Sequence, residues 1–203
     1  MDVEEVAEEV YQDSYKDIKR YVDILTDKAV TWGLIGPREV PRLWERHILN
    51  SVALADLIPQ GATVLDVGSG AGLPGLPLAI ARPDLQVTLL DSLLRRVTFL
   101  DETVAELALG DRVSVTRGRA EELKGSYDVV VARAVAPLEK LIGWCGHLIS
   151  PRGSLLVLKG DSANREVDEA DQFLARRKMN ATVLQVRAHP QADLTTVVRV
   201  RRS

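Results

Sequence analysis

Residues 62–75 read ATVLDVGSGAGLPG, an apolar, β-branched run that passes without a linker into four glycines and a proline. Such a turn at the end of a strand lets a ligand approach the backbone, because glycine carries no Cβ and tolerates positive φ. Spacing selects the ligand. The dinucleotide fingerprint places its third glycine three residues after the second, whereas Gly68, Gly70 and Gly72 are followed by Leu73. A pyrophosphate loop therefore loses its main support, and no Gly-Lys-Ser/Thr follows to make a Walker loop. A nucleoside site on an α/β scaffold remains, with Leu73 and Pro74 covering the ligand as the next helix starts.

Downstream, β-branched runs recur at QVTLLD (86–91), RVSVT (112–116), YDVVVA (127–132) and SLLVLK (154–159), and helical stretches fall at 72–81, 93–107, 137–149 and 163–178. Alternation of strand and helix with near-continuous apolar strands predicts a parallel sheet covered on both faces. Two last runs, ATVLQVRA (181–188) and TTVVRVRR (195–202), flank HPQADL and predict an antiparallel hairpin at one edge, for seven strands in all. Upstream of Gly61 the apolar period lengthens to three and four. It predicts one helix from 3 to about 32 and a second that opens at Pro37, an allowed first-turn position, and runs through Leu43, Trp44, Ile48, Val52 and Leu57 to Pro59. The expected architecture is a helical N-terminal extension over 1–60 and one compact Rossmann-like α/β unit over 61–203.

With 203 residues and 46% hydrophobic side chains, the chain can bury one substantial core. The start, MDVEEVAEEV, is acidic and lacks the basic flank and apolar stretch of a secretory signal, and no run approaches the roughly 20 apolar residues that span a bilayer. A soluble, cytoplasmic protein with no membrane partner is expected. The lone Cys145 excludes an internal disulfide and any CxxC metal cluster, and reads as a small core residue. The net charge of −3 is uneven: residues 1–30 hold nine acidic and four basic side chains, residues 31–203 hold 20 and 22. Basic clusters such as Arg42/Arg46/His47 and Arg199/Arg201/Arg202 read as solvated surface or as contacts to a polyanion.

The second strand ends at Asp91, about twenty residues past the loop, where a carboxylate can accept both hydroxyls of a ribose. Alternatively, Asp91 caps the helix that opens SLLRRV, and the glycines only make a tight turn.

Glycines at alternate positions after a strand bearing Asp66, an acid at the end of the second strand and a terminal hairpin resemble the class I S-adenosylmethionine-dependent methyltransferases. More closely, ERHILNS (45–51), DVGSGAGLPGLPLAI (66–80), VTLLDSLLRRVTFL (87–100), RAEEL (119–123), YDVVVARAVAPLEKL (127–141) and LLVLKG (155–160) are similar to the glucose-inhibited division protein B family, the bacterial ribosomal small-subunit methyltransferases G. That resemblance implies transfer of a methyl group from S-adenosylmethionine to N7 of a guanine in 16S ribosomal RNA, leaving S-adenosylhomocysteine, with the small ribosomal subunit as partner, no metal, and a monomeric enzyme. It implies that Gly68 and Leu73 line the cofactor, that Gly70 and Gly72 shape the same loop, that Asp91 binds the ribose, and that Ala120 and Glu121 lie beside the adenine. Arg133 then falls at the cofactor and target pocket. The chain departs from the family at WGLIGPREV (32–40), where an Asn-Leu-Thr motif is frequent, and at Asn50, where many members have aspartate.

Guanine N7 offers an in-plane lone pair and no proton, so its methylation needs no general base, and the absence of an evident acid–base pair agrees with that chemistry. Arg133 is the first candidate to bind the base or a flanking phosphate; a salt bridge to a carboxylate is its structural alternative. Arg46 and His47, on the second helix, are candidates for RNA contact, although a bare histidine is as readily structural. Lys159, at the end of the fifth strand, reads as a phosphate contact or as a surface lysine. Two other readings stay open. One is a small-molecule methyltransferase, with Trp32 and Trp44 building an apolar pocket; the other is a non-catalytic nucleoside-binding assembly protein. An NAD-dependent oxidoreductase shares only the glycine turn.

Overall fold

The computed structural model of the chain describes residues 2–133 and 136–203. Ala134 and Val135 of VARAV lie outside the described residues.

Seven strands form one sheet in the order β3-β2-β1-β4-β5-β7-β6. They are β1 (Thr63–Val67), β2 (Gln86–Asp91), β3 (Val113–Arg117), β4 (Tyr127–Arg133), β5 (Ile149–Lys159), β6 (Met179–Val186) and β7 (Thr195–Arg202). Strands β1 to β5 pair in parallel, and β7 runs antiparallel to both β5 and β6. The expected seven-stranded, mostly parallel sheet with its edge hairpin is thus observed. Four consecutive residues of β4, Val129 to Ala132, are fully buried, as a strand covered on both faces must be. The order reverses between β1 and β4, and an open sheet binds ligands beyond the carboxyl ends of its strands at such a reversal.

The helices divide between the two faces. Helices α6 (Leu138–Cys145) and α7 (Ala163–Arg176) cover one side, where Leu141, Ile142 and Leu174 pack with Leu65, Val130 and Val157. Cys145 is buried there, and burial pushes its thiol up to about 12. On the other side lie α4 (Gly75–Ala81), α5 (Leu94–Glu106) and the helical residues before Gly61. Ile18, Tyr21 and Leu25 share a continuous apolar cluster with Leu76, Leu78 and Leu89. Among the described residues, no helix is long and apolar enough to cross a membrane.

The region before Gly61 is helical as the period predicts, but it is not two smooth rods. Helix α1 (Val3–Tyr11) opens with a capping box on Asp2 and Glu5 and ends at Gln12, whose φ of 47° breaks the α geometry. A 3-10 turn (Gln12–Ser14), α2 (Tyr15–Ile24) and a π-helical turn (Leu25–Ala29) follow. The second stretch runs as a 3-10 helix (Pro37–Arg42), a π-helix (Leu43–Leu49) and α3 (Asn50–Val52). Pro41 explains its start: a second proline inside the segment has no N–H to donate and disfavours regular α-helix.

Gly75, at the start of α4, shows how closely this layer approaches the sheet. Its N–H donates to Asp66 Oδ2 at 3.0 Å, and a Cβ there would stand 2.7 Å from that oxygen and against Leu89 Cδ2. Gly75→Ala is therefore expected to cost about 1–3 kcal/mol through overpacking, seen as a fall of several degrees in melting temperature. An unchanged melting temperature would show that the layer can give way.

Candidate cofactor and target-base site

Three clefts open side by side at the carboxyl edge of the parallel strands, and neighbouring clefts share lining residues. The first, about 250 Å³, is lined by Gly68, Asp91, Arg96, Ala120, Glu121 and Trp144 among others. The second, about 400 Å³, is lined by Gly68, Gly70, Leu73, Arg96, His47 and Arg133 with their neighbours. Gly68 and Arg96 belong to both. The third, about 600 Å³, holds Arg46, Asn50, Lys159, Leu194 and Thr195, and joins the second through Arg133. Of the residues expected to line the cofactor or shape its loop, all but Gly72 face the first two clefts, and Arg133 borders both the second and the largest.

The glycine turn is held at both ends. Gly68 and Ser69 donate their N–H groups to Leu90 O at 2.9 and 3.1 Å, and Gly70 N–H donates to Asp91 Oδ2 at 3.1 Å. Gly68, Gly70 and Gly72 all have positive φ, the conformation that favours glycine. Their surroundings differ. A Cβ on Gly70 would meet nothing closer than Gly68 O at 3.9 Å, so it would project into open space, a cradle a ligand can fill. A Cβ on Gly72 would run into Leu76 and stand 3.1 Å from the Tyr21 hydroxyl. Gly72 therefore shapes the loop from behind and does not line it. Tyr21 closes that side: its buried hydroxyl donates to Ala71 O at 2.8 Å.

Asp91 is 3% exposed. Besides Gly70, it accepts from Leu93 N–H at 3.0 Å through Oδ1, and Arg96 Nη1 approaches Oδ2 at 3.3 Å. Asp91 thus orders the turn into α5 through the N–H of its N-cap residue, Leu93, without bonding the N–H groups of the helix itself, and Arg96, still 41% exposed at its side chain, is the partner able to move aside.

In the sequence Asp66 reads only as an acid on the first strand. It is fully buried beneath the loop, with Oδ2 on Gly75 and Oδ1 without a partner. Burial raises its carboxyl to about 7. A folded-state value above the unfolded one, near 4, means that stability falls as pH rises from about 4 to about 7, because the unfolded chain releases the proton first. Replacement by asparagine removes that titration, so urea melts should show wild type losing stability relative to Asp66→Asn across this window. Parallel pH profiles would reverse the assignment.

Arg133, at the end of β4, is half-buried, and its Nη1 has no partner among the described residues. Among the described residues it makes no salt bridge to a carboxylate, the structural alternative. His47 is buried, and its Nε2 lies 2.8 Å from Glu39 Oε2; Arg46 approaches the same carboxylate at 3.8 Å but remains half-exposed. Burial, then the Arg133 guanidinium, holds the His47 imidazole below its usual value, against the pull of Glu39. Glu39 lies in WGLIGPREV, and nothing in the sequence marks it as a partner of a histidine eight residues on.

Lys159 is not a surface lysine. Its side chain is 8% exposed, and Nζ donates to Glu166 Oε2 at 2.7 Å and to Ala136 O at 2.8 Å. Glu166 also accepts from Leu138 N–H and from the Ser162 hydroxyl. The pair ties α7 to the segment that enters α6, beside Arg133. Trp32 and Trp44, the candidates for a small-molecule pocket, pack against Phe99 and Tyr15 instead and line none of the three clefts. Asn50 Oδ1 accepts from the Thr195 hydroxyl at 2.8 Å, fastening the second helical stretch to β7.

Comparison with known proteins agrees with this geometry. A family model described as rRNA small subunit methyltransferase G matches residues 14–195. The ribosomal RNA small subunit methyltransferase G of Thermobifida fusca is 54% identical over 199 residues, covering 97% of this chain and 84% of the relative. That of Streptomyces coelicolor is 52% identical over 202 residues, covering 98% and 84%. Among solved structures, the ribosomal protein L11 methylase of Lactobacillus delbrueckii subsp. bulgaricus superposes with a TM-score of 0.58 at 19% identity over 76% of each chain, a likeness of fold.

Proposed function

The chain belongs to the rRNA small subunit methyltransferase G family, and from that premise we propose that it methylates N7 of a guanine in 16S ribosomal RNA, with S-adenosylmethionine as donor and S-adenosylhomocysteine as product. The observation that carries the reading is the row of three adjoining clefts, in which the two glycine-loop clefts share Gly68 and Arg96 and the second of them shares Arg133 with the larger polar cleft. The first two clefts fit the cofactor. Asp91 suits the ribose, Ala120 and Glu121 border the adenine end, and Gly68, Gly70 and Leu73 leave room for the rest. When bound, the sulfonium supplies an electrophilic methyl group on a good leaving group.

The chain's own task is placement. The N7 lone pair is already free, so no side chain need take a proton, and alignment of donor and acceptor can contribute about 7–11 kcal/mol. Arg133 stays a guanidinium although burial lowers its value, and at the junction it can hold an anionic or carbonyl oxygen of either partner. The target base must leave its stack to enter the third cleft.

The test uses labelled S-adenosylmethionine with small subunits, and separately naked 16S RNA, from a strain lacking the modification. Label recovered as 7-methylguanine in either RNA is expected. Cofactor binding without label in RNA would leave a small-molecule methyltransferase or a non-catalytic assembly protein in its place.

A further inference from the structure

Among the described residues only three buried side-chain atoms lack a hydrogen-bond partner: His47 Nδ1, Asp66 Oδ1 and Arg133 Nη1. Buried polar atoms are almost always paired, so each such exception asks for an explanation. Two of the three residues, His47 and Arg133, border the 400 Å³ cleft, and their chemistry is complementary. The Glu39 carboxylate can only accept, so His47 Nε2 carries the proton of that 2.8 Å contact. The charged groups acting on the ring are Arg133 from β4, Glu39 from the preceding 3-10 helix and neighbouring Arg46. Burial and the two arginines keep the ring neutral against Glu39. Nδ1 is then a bare lone pair, and Arg133 Nη1 is a donor without an acceptor.

We propose that Glu39 and His47 are positioning residues that act through Arg133: Glu39 fixes the Nε2–H tautomer of His47, and the Nδ1 lone pair thereby offered seats Nη1 of the guanidinium. This rests on the reading of Arg133 as the junction between cofactor and target base. Both residues line the same cleft, and pairing Nδ1 with Nη1 would satisfy both orphaned atoms while leaving Nε and Nη2 of Arg133 for the clefts. Glu39 comes from the helical layer and Arg133 from the sheet, so the relay ties the wall built before Gly61 to the edge of β4.

Two measurements test this. In wild-type protein, 15N-resolved imidazole NMR should show His47 as the neutral Nε2–H tautomer, with its Nδ1 resonance moving on Arg133→Lys and on addition of S-adenosylhomocysteine. An Nδ1–H tautomer, a cationic ring at neutral pH, or an Nδ1 resonance indifferent to both changes would overturn the proposal. In methylation assays, protonation of Nδ1 turns it towards Arg133 as a donor, so kcat should fall as pH drops through the His47 titration. Glu39 favours the cation, so Glu39→Gln should move this acidic limb to lower pH, while Glu39→Ala should lower kcat about 10- to 100-fold, the effect typical of losing an outer-shell orienting partner. His47→Asn, which keeps an acceptor near the Nδ1 position, should retain more activity than His47→Leu. A merely structural Glu39 would lower the melting temperature and leave the limb in place. The NMR readings need no turnover, so failure of the relay is distinct from failure of the methylation reading, which would show as wild type leaving RNA unlabelled.

Discussion

Asp91→Ala should reduce affinity for S-adenosylhomocysteine by at least about 100-fold. A carboxylate accepting two ribose hydroxyls makes two charge-assisted bonds, each worth about 1.5–3 kcal/mol, and about 1.4 kcal/mol corresponds to a tenfold change in affinity. The carboxylate has about four lone-pair sites. In the structure Gly70 and Leu93 N–H groups occupy two at 3.1 and 3.0 Å, and Arg96 adds a longer 3.3 Å contact from an exposed side chain. Sites therefore remain for a ligand once Arg96 swings away, so ordering the turn and ribose binding are compatible. The substitution should also lower the ligand-free melting temperature modestly, because two N–H groups lose their acceptor. Calorimetric titration with S-adenosylhomocysteine beside a thermal melt separates the two roles. A lower melting temperature with unchanged affinity would leave Asp91 only its role in ordering the turn.

The sheet was legible because its signals are local. Each strand needs only a β-branched run and a flanking turn, and β2 and β7 fall on the residues that QVTLLD and TTVVRVRR predict. The glycine spacing likewise placed Gly68, Gly70 and Leu73 on the cleft, since a turn with positive φ is written into the chain itself. What the sequence hid depends on backbone breaks and on polar contacts between separate elements. The apolar period through Tyr11 and Tyr15 continues across Gln12, so the break in the first helix leaves no trace in the pattern. Tyr21 reads as one more apolar position, yet its hydroxyl reaches the loop 50 residues on. The fate of Lys159 is set by Glu166, in the first turn of α7, and that of His47 by Glu39 in a stretch with no helical period of its own. Short apolar patterns carry the scaffold, while the polar contacts that tune the site arise between elements.

Arg133→Ala is the sharper test of the site. Its guanidinium is half-buried at the junction of two clefts and, among the described residues, lacks an acceptor for Nη1, so it contributes little to the fold as it stands. Desolvating a charge without full compensation is unfavourable, and truncation should leave the melting temperature unchanged or slightly higher. Activity should respond differently. Positive charge builds on the guanine as the methyl arrives, so a nearby cation offers no direct stabilisation of that charge. Its contribution must come from holding oxygens of the base, its phosphates or the donor in line. Misplacement of reacting groups by about 1 Å can cost about 100-fold, and kcat/KM on the RNA should fall by at least that much, with a smaller loss in affinity for S-adenosylhomocysteine. Arg133→Lys keeps the charge but not the planar fork, so it should recover only a minor part of the loss. Should Arg133→Ala instead melt several degrees lower and turn over normally, the arginine would be a strut of the fold and the junction would need another residue to align its two ligands.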